Sequence, residues 1–117
     1  MAPIASVADE DPARCLTACL TANIPRGDTL VVTVTSDYTI YPPDALDSWG
    51  STYTLHDSTV DDTYTTRTTI FHTEPESELD AGTRVKVVWR DPVANRTLTL
   101  DHEPRRRRRT KAAPAGS

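Results

Sequence analysis

Short segments in which apolar and polar side chains alternate recur through most of this chain. The clearest are residues 29–35, 63–73, 83–90 and 96–101, and a weaker one includes Tyr53 and Leu55. Because successive side chains of a β-strand point to opposite faces, this period of two predicts strands that are buried on one face. Turn-forming residues separate the segments. We therefore expect a mainly β fold, a small antiparallel barrel or sandwich of about six strands.

The segments 83–90 and 96–101 give the most specific of these predictions. Each has a period of two, with Val88 as the one apolar residue on the otherwise polar face of the first segment. The residues between them, 91–95, are typical of a turn. We expect the two segments to pair as a β-hairpin. The apolar side chains that this hairpin should bury are Val85, Val87, Leu98 and Leu100.

Residues 11–23 have the one apolar pattern that suits a helix. Asp11 is a suitable N-cap, and Pro12 suits the first helical turn. Four residues recur at i, i+1, i+4 and i+5, and so share one helical stripe: Cys15, Leu16, Cys19 and Leu20. The sequence therefore predicts one N-terminal α-helix that docks on the sheet and buries both cysteines as reduced, metal-free thiols. Residues 1–10 are expected to be flexible.

The charged residues divide the chain into two parts of opposite sign. All 17 acidic residues lie within residues 1–104, together with seven basic ones, so this part has a net charge of −10. Residues 105–117 contain five arginines, one lysine and no acidic residue. They also lack large apolar residues, so they cannot bury a core of their own. We therefore predict an acidic β-rich domain at 11–104 and a disordered, arginine-rich tail at 105–117.

This basic tail is the leading candidate for a binding site. Its cationic residues are Arg105, Arg106, Arg107, Arg108, Arg109 and Lys111. Guanidinium groups pair with phosphates through two parallel hydrogen bonds, and neutralising a nucleic acid releases its counterions. Nucleic acid or an acidic protein surface would suit the tail, and a solubilising role without a partner is the alternative. Because the domain is acidic, we expect it to bind polyanions poorly and expect removal of the tail to abolish binding.

Seven aromatic side chains lie in the predicted domain, and a subset of them could form a stacking surface. Trp49 and Tyr41 occupy loop-like segments and are expected to be exposed. The remaining five match the apolar parity of their strands and are expected to lie in the core: Tyr38, Tyr53, Tyr64, Phe71 and Trp89.

Metal binding and catalysis have little support in the sequence. Zinc would accept Cys15 and Cys19 with a histidine, the candidates being His56, His72 and His102, but the chain has no second cysteine pair. It also contains no nucleophile elbow and no glycine-rich phosphate loop. We expect no metal, no cofactor and no enzymatic activity, and an enzyme is the third hypothesis.

The leading hypothesis is a small, non-catalytic binding module that engages nucleic acid or a nucleoprotein complex through its basic tail. The alternative is a structural subunit of a virion or another assembly, in which the tail binds a neighbour or packaged DNA. Eleven arginines against two lysines, 19 threonines and the acidic excess are typical of a halophilic or GC-rich source. Without a secretory signal or a membrane span in the sequence, we expect a cytoplasmic location, or a virion if the alternative holds.

Overall fold

The computed structural model of the protein describes residues 2–105, which form eight β-strands. The strands are β1 (Ala2–Asp9), β2 (Ala13–Cys19), β3 (Thr29–Asp37), β4 (Asp44–Asp47), β5 (Thr54–Val60), β6 (Thr66–Thr73), β7 (Arg84–Val93) and β8 (Arg96–Glu103). Every pairing between these strands is antiparallel. The predicted mainly β fold is confirmed.

The strands form two open sheets that pack face to face. The larger sheet has the order β1-β8-β3-β6-β5, and the smaller has the order β2-β7-β4. Neither sheet closes on itself, so the fold is a sandwich and not a barrel. The buried side chains between the sheets include Leu16, Leu30, Val32, Val34, Phe71, Val85, Val87, Trp89, Leu98 and Leu100. Phe71 and Trp89 therefore lie in the core as predicted, and Tyr53 is partly buried against it.

The predicted hairpin between residues 83–90 and 96–101 is wrong, although the burial of its four apolar side chains is confirmed. β7 pairs with β2 and β4, whereas β8 pairs with β1 and β3 in the other sheet. The apolar residues of both strands are fully buried because each strand turns them toward the core between the two sheets. Alternation identifies the buried face of a strand but not its hydrogen-bonded neighbour.

The short link between β7 and β8 carries the chain from one sheet to the other. Asn95 has a left-handed backbone conformation, with φ of 54°, which asparagine adopts more readily than most residues. Its side-chain amide donates hydrogen bonds to both carboxylate oxygens of Asp37, at 3.1 and 3.2 Å. Its backbone N–H donates to the carbonyl oxygen of Glu10 at 3.2 Å. The corner is thereby attached to β3 and to the segment between β1 and β2.

The predicted helix at residues 11–23 is wrong, because this segment contains strand β2 and no helix occurs within residues 2–105. Leu16, Ala18 and Leu20 alternate along the strand and enter the core. Cys15 and Cys19 fall on the opposite face and are exposed free thiols, which corrects their predicted burial. The spacing of the apolar residues fits both a short helical stripe and a strand, and pairing with β7 selects the strand.

The N-terminal segment predicted to be flexible, residues 1–10, contains strand β1. Ala2–Asp9 pairs with β8 at one edge of the larger sheet. Ile4 and Val7 are partly buried and pack against the core. The small side chains of this segment give only a weak strand pattern, and the backbone hydrogen bonds come from a neighbour about 90 residues later in the sequence.

A buried arginine, Arg96, lies where the chain crosses between the sheets. Its side chain is 1% exposed, and Nη2 donates to the carbonyl oxygen of Asp11 at 2.8 Å and pairs with Oδ2 of Asp9 at 3.0 Å. Nη1 donates to the carbonyl oxygen of Cys15. The guanidinium carbon lies 5.8 Å from the ring centre of Trp89. Arg96 therefore attaches the segment that leads from β1 into β2 to the first residue of β8.

Replacing Arg96 by methionine is expected to destabilise the fold by about 3 kcal/mol. Methionine fills much of the volume but removes the guanidinium donors to the carbonyl oxygens of Asp11 and Cys15, and losing a hydrogen bond to a charged group costs about 1.5–3 kcal/mol. Urea unfolding followed by tryptophan fluorescence measures the loss. Asp9→Asn is the control, because Asp9 is 45% exposed and its ion pair is expected to contribute about 1 kcal/mol or less. Equal losses in the two variants would contradict this role for Arg96.

Candidate functional site

The predicted basic tail begins where β8 ends. Arg105 lies within the described residues, whereas Arg106, Arg107, Arg108, Arg109 and Lys111, with the disorder predicted for them, lie outside. The backbone N–H of Arg105 donates to Oδ1 of Asp28 at 2.8 Å. Oδ2 of the same carboxylate lies 2.7 Å from Nε2 of His102. Asp28 therefore fixes the position of Arg105, the first residue of the basic segment, and we call this position the tail exit.

The surroundings of this exit point are acidic. Glu74 and Glu103 line the same groove as Arg105 and Gly27. Gly27 has a φ of +87°, and Nη1 of Arg105 lies 3.3 Å from the position that a Cβ on this glycine would occupy. The first arginine thus packs against the body, and the concentrated positive charge of the sequence begins after it.

The smaller sheet has a basic outer surface that the net charge of the domain conceals. Along β7, Arg84, Lys86 and Arg90 are exposed and alternate with side chains that enter the core. Arg14, at a bulge in β2, lines a groove with Arg90 and Tyr41. We call the surface formed by Arg14, Arg84, Lys86 and Arg90 the basic face. It contains four of the seven basic residues within residues 1–104.

Acidic residues are scarce among the neighbours of the basic face. In the strand register, the outward-facing neighbours are Cys15, Thr17 and Cys19 of β2 and Asp44 and Leu46 of β4. Asp44 is the one acidic residue among them. In the described part of the chain, the ion pairs involve Arg96 and His102 and none of the four cations of the basic face. This surface therefore remains positive on a domain whose net charge is negative.

The basic face could not be recognised from the sequence. The alternation of Arg84, Lys86 and Arg90 with apolar residues is visible there, and it correctly predicted a strand. The position of β7 at the centre of a separate three-stranded sheet is not visible. A total charge of −10 suggested a uniformly acidic surface, whereas the folded chain separates the two signs.

Exposed aromatic residues gather at the end of the sandwich where β3 ends and β6 begins. Tyr38 and Tyr64 form an edge-to-face pair with ring centres 5.6 Å apart, and they are 37% and 67% exposed. Tyr41 is 53% exposed, and the guanidinium carbon of Arg90 lies 4.3 Å from its ring centre. The exposure of Tyr41 is confirmed. The predicted burial of Tyr38 and Tyr64 is wrong, because they lie in loops just outside the strands.

Polar contacts hold the loops that carry these tyrosines. Nε and Nη2 of Arg67 donate to the carbonyl oxygens of residues 39 and 40, at 2.9 and 3.1 Å. Asp61 accepts hydrogen bonds from the hydroxyl of Thr65 at 2.6 Å and from the backbone N–H of Thr66 at 2.9 Å. These bonds hold the pKa of Asp61 well below its usual range. The aromatic rings are therefore presented by loops with defined conformations.

Trp49, the other aromatic residue predicted to be exposed, lies at the opposite end of the sandwich and is 62% exposed. Its indole N–H donates to Oγ1 of Thr83 at 3.2 Å. Oδ1 of Asp47 accepts the backbone N–H groups of Trp49 and Ser51, and Oδ2 accepts the hydroxyl of Tyr53 at 2.8 Å. Burial by itself raises the pKa of Asp47, but these hydrogen bonds outweigh burial and lower it. Asp47 thus organises the loop that carries Trp49.

The structure does not bring the candidate zinc ligands together. Cys15 and Cys19 are four residues apart on one extended strand, a distance of about 13 Å, which is too far for one metal ion. The rings of His56 and His72 contact each other at 5.8 Å, and His102 belongs to the tail exit. Within the described residues, no group of three or more His, Cys, Asp or Glu side chains is placed to hold a metal ion.

Comparison of the chain with protein-family models gave no match, and searches of curated proteins and of solved structures gave no significant match. The assignment of functional residues therefore depends on the geometry of this chain alone. No helix in the part of the chain that the structure describes has the length and apolar character to cross a membrane.

Replacing Asp47 by asparagine is expected to destabilise the protein by about 1–3 kcal/mol at pH 7, since charge-assisted hydrogen bonds to a buried carboxylate are lost. The folded-state pKa lies below the ordinary value of 3.8, so the contribution of the charged form is present above about pH 4 and is lost as the pH falls through the depressed pKa. Urea unfolding should therefore show a smaller difference from the parent at pH 3 than at pH 7.

Asp44→Asn is the matched control, because Asp44 is an exposed residue of the same strand. It should change the free energy of unfolding by about 0.5 kcal/mol or less. A difference between parent and Asp47→Asn that is the same at both pH values would contradict the assigned role.

Proposed function

We propose that the protein is a non-catalytic binding module that engages nucleic acid, alone or in a nucleoprotein complex, through residues 105–111. The observation that carries the proposal is the separation of charge: these seven residues contain six cations and no acid, next to a domain with a net charge of −10. A basic block of this kind is typical of segments that bind polyanions.

The binding mode follows from the chemistry of the side chains. Arginine donates two parallel hydrogen bonds to a phosphate, and the affinity comes largely from counterions that the nucleic acid releases. The attachment of Arg105 to Asp28 supports a fixed origin for the basic segment at one end of the sandwich. The acidic side chains of the domain would also repel phosphates and so limit nonspecific contact of the nucleic acid with those parts of the surface.

Replacing Arg106, Arg107, Arg108, Arg109 and Lys111 by glutamine should weaken binding to duplex DNA and reduce its salt dependence. We call this protein the tail-glutamine variant. Five lost phosphate contacts correspond to a decrease of up to about 4.5 in the magnitude of the log–log salt slope. Fluorescence anisotropy with a labelled duplex over a range of salt concentrations measures both quantities.

Deletion of residues 112–117 is the control for this experiment, because that segment carries no charged side chain. It should leave both the affinity and the salt slope unchanged. If the parent protein binds neither DNA nor RNA at low salt, or if the tail-glutamine variant binds as the parent does, the proposed function is wrong.

A second candidate function, a structural subunit of an assembly, is favoured by the outer face of the larger sheet. Two register rows cross all five strands of this face: Ser6, Thr99, Thr33, Ile70 and Asp57, and Ala8, Thr97, Thr35, Thr68 and Thr59. Nine of these ten side chains are uncharged, and Asp57 lies on the edge strand. A flat, uncharged surface on an acidic domain is suited to packing against another protein with little charge repulsion.

The assembly hypothesis predicts an oligomer whose mass increases with protein concentration in light scattering after size exclusion. Thr68→Glu places a charge near the middle of the outer face and should shift the equilibrium toward the monomer. Ala22→Glu, at an exposed position outside both sheets, is the control and should not. A parent protein that stays monomeric at all concentrations would exclude self-assembly.

A further inference from the structure

We propose that the basic face, together with Tyr41, is a second nucleic-acid-binding surface and takes a single strand along β7. This inference rests on the proposed function for the class of ligand, but it assigns recognition to the folded domain as well as to the tail. It differs from the sequence-based expectation that the domain binds polyanions poorly.

The cations of the basic face form no ion pair within residues 2–105. Four exposed cations lie on one side of a domain that has 17 acidic residues available as partners. Nevertheless, the ion pairs within residues 2–105 are those of Arg96 with Asp9 and His102 with Asp28. Cations that form no ion pair within the domain can pair with the anionic groups of a ligand. A surface of one sign also attracts polyanions locally, although the net charge of the domain is negative.

The cations of β7 form a row along one face of the smaller sheet. Arg84, Lys86 and Arg90 lie on one face of one strand, so their backbone positions extend over about 20 Å in a line. The neighbouring outward side chains are mostly small or uncharged, and Thr17, Cys15 and Cys19 leave the line open on the β2 side. A linear row of cations on an open sheet suits an extended phosphate backbone.

An exposed aromatic ring lies at one end of this row, beside Arg90. Tyr41 is 53% exposed, and Arg90 lies over one of its faces at 4.3 Å. Proteins that bind single strands combine a cationic groove with aromatic side chains on which bases stack. Unpaired bases are accessible for such stacking, whereas those of a duplex are not. An acidic protein partner would use the cations but would gain little from this ring.

The basic face and the start of the basic tail are placed so that one bound strand could extend from the first toward the second. β7 begins at Arg84, at the end of the sandwich where the register places the start of β3 and the end of β8. Arg105 leaves the domain at that same end, where it is held by Asp28. A strand bound along β7 would therefore extend from the Tyr41 end of the sandwich toward the end from which the basic tail starts.

The test uses the tail-glutamine variant, a full-length protein that lacks five of the six cations of residues 105–111. In this background Arg84→Gln with Lys86→Gln removes two charges from the basic face. The matched control is Ser6→Glu with Thr59→Glu, which makes the same change in net charge at exposed positions of the larger sheet. Anisotropy with a labelled oligothymidylate measures the affinity of each protein as a function of salt.

The basic-face pair should weaken binding several-fold and reduce the magnitude of the salt slope by about 1.4, the amount expected for two phosphate contacts on a single strand. The control pair should change the slope little. Equal effects of the two pairs would mean that only net charge matters, and the inference would be overturned. If the tail-glutamine variant does not bind while the parent does, the inference fails and the proposed function stands. If the parent binds duplex DNA but not oligothymidylate, the inference likewise fails and the proposed function stands. If the parent binds neither DNA nor RNA at low salt, both fail.

Tyr41→Ala distinguishes a nucleic acid from an acidic protein. Loss of one stacked base should weaken oligothymidylate binding about fivefold or more without changing the salt slope. Polyglutamate is the comparison ligand. If polyglutamate binds as tightly as the oligonucleotide and Tyr41→Ala affects neither, the surface is one for an acidic protein, and the assignment to nucleic acid is overturned.

The native cysteines locate the ligand directly. Cys15 and Cys19 are exposed on β2 beside the basic face, and the sequence has no other cysteine. Saturating oligothymidylate should slow their reaction with a neutral maleimide several-fold in the tail-glutamine variant. An unchanged rate, with the oligonucleotide shown to be bound, would place the ligand elsewhere and overturn the inference.

Discussion

The two sheets of this sandwich depend on one buried cation. Arg96 begins β8 in the larger sheet, while its guanidinium donates to carbonyl oxygens of Asp11 and Cys15 in the segment that opens the smaller sheet. The chain passes between the sheets at this end both from β1 to β2 and from β7 to β8. An arginine can satisfy both crossings because it presents several donors in a fixed plane. The same group lies close to the ring of Trp89 in the core.

This connectivity determines which charges share a surface. β7 is the central strand of the smaller sheet, and β8 lies in the larger one. The exposed cations of β7 are therefore flanked by β2 and β4 and not by strands of the larger sheet. Most acidic residues of the strands lie near strand ends, and the outer face of the larger sheet is dominated by threonine. The domain therefore has a basic sheet face, a neutral sheet face and acidic ends. Net charge alone describes none of these surfaces.

The sequence predicted the strands that have a strict alternation, and it failed where the tertiary partner decides the structure. Leu30, Val32 and Val34 identified β3 because, apart from one valine, the residues that alternate with them are threonines. Leu16 and Leu20 fit a helix and a strand equally well, so only the contact with β7 distinguishes them. The placement of β7 and β8 in different sheets depends on the corner at Asn95 and the buried Arg96, and neither effect is local.

The candidate site, like the fold, was predictable from the sequence only in part. The arginine block is visible as composition, and the exposure of Tyr41 and Trp49 follows from their loop-like context. The proximity of Tyr41 to Arg90, and the grouping of Arg14 with β7, require the fold.

The most direct test of the central claim, that a basic sheet face binds the ligand, is an NMR titration of isotopically labelled full-length protein with oligothymidylate. We expect the largest amide shift changes in the domain on β2 and β7 and in the loop that carries Tyr41. The outer face of the larger sheet should change little. Changes confined to residues 105–117, or centred on the threonine rows of the larger sheet, would contradict it.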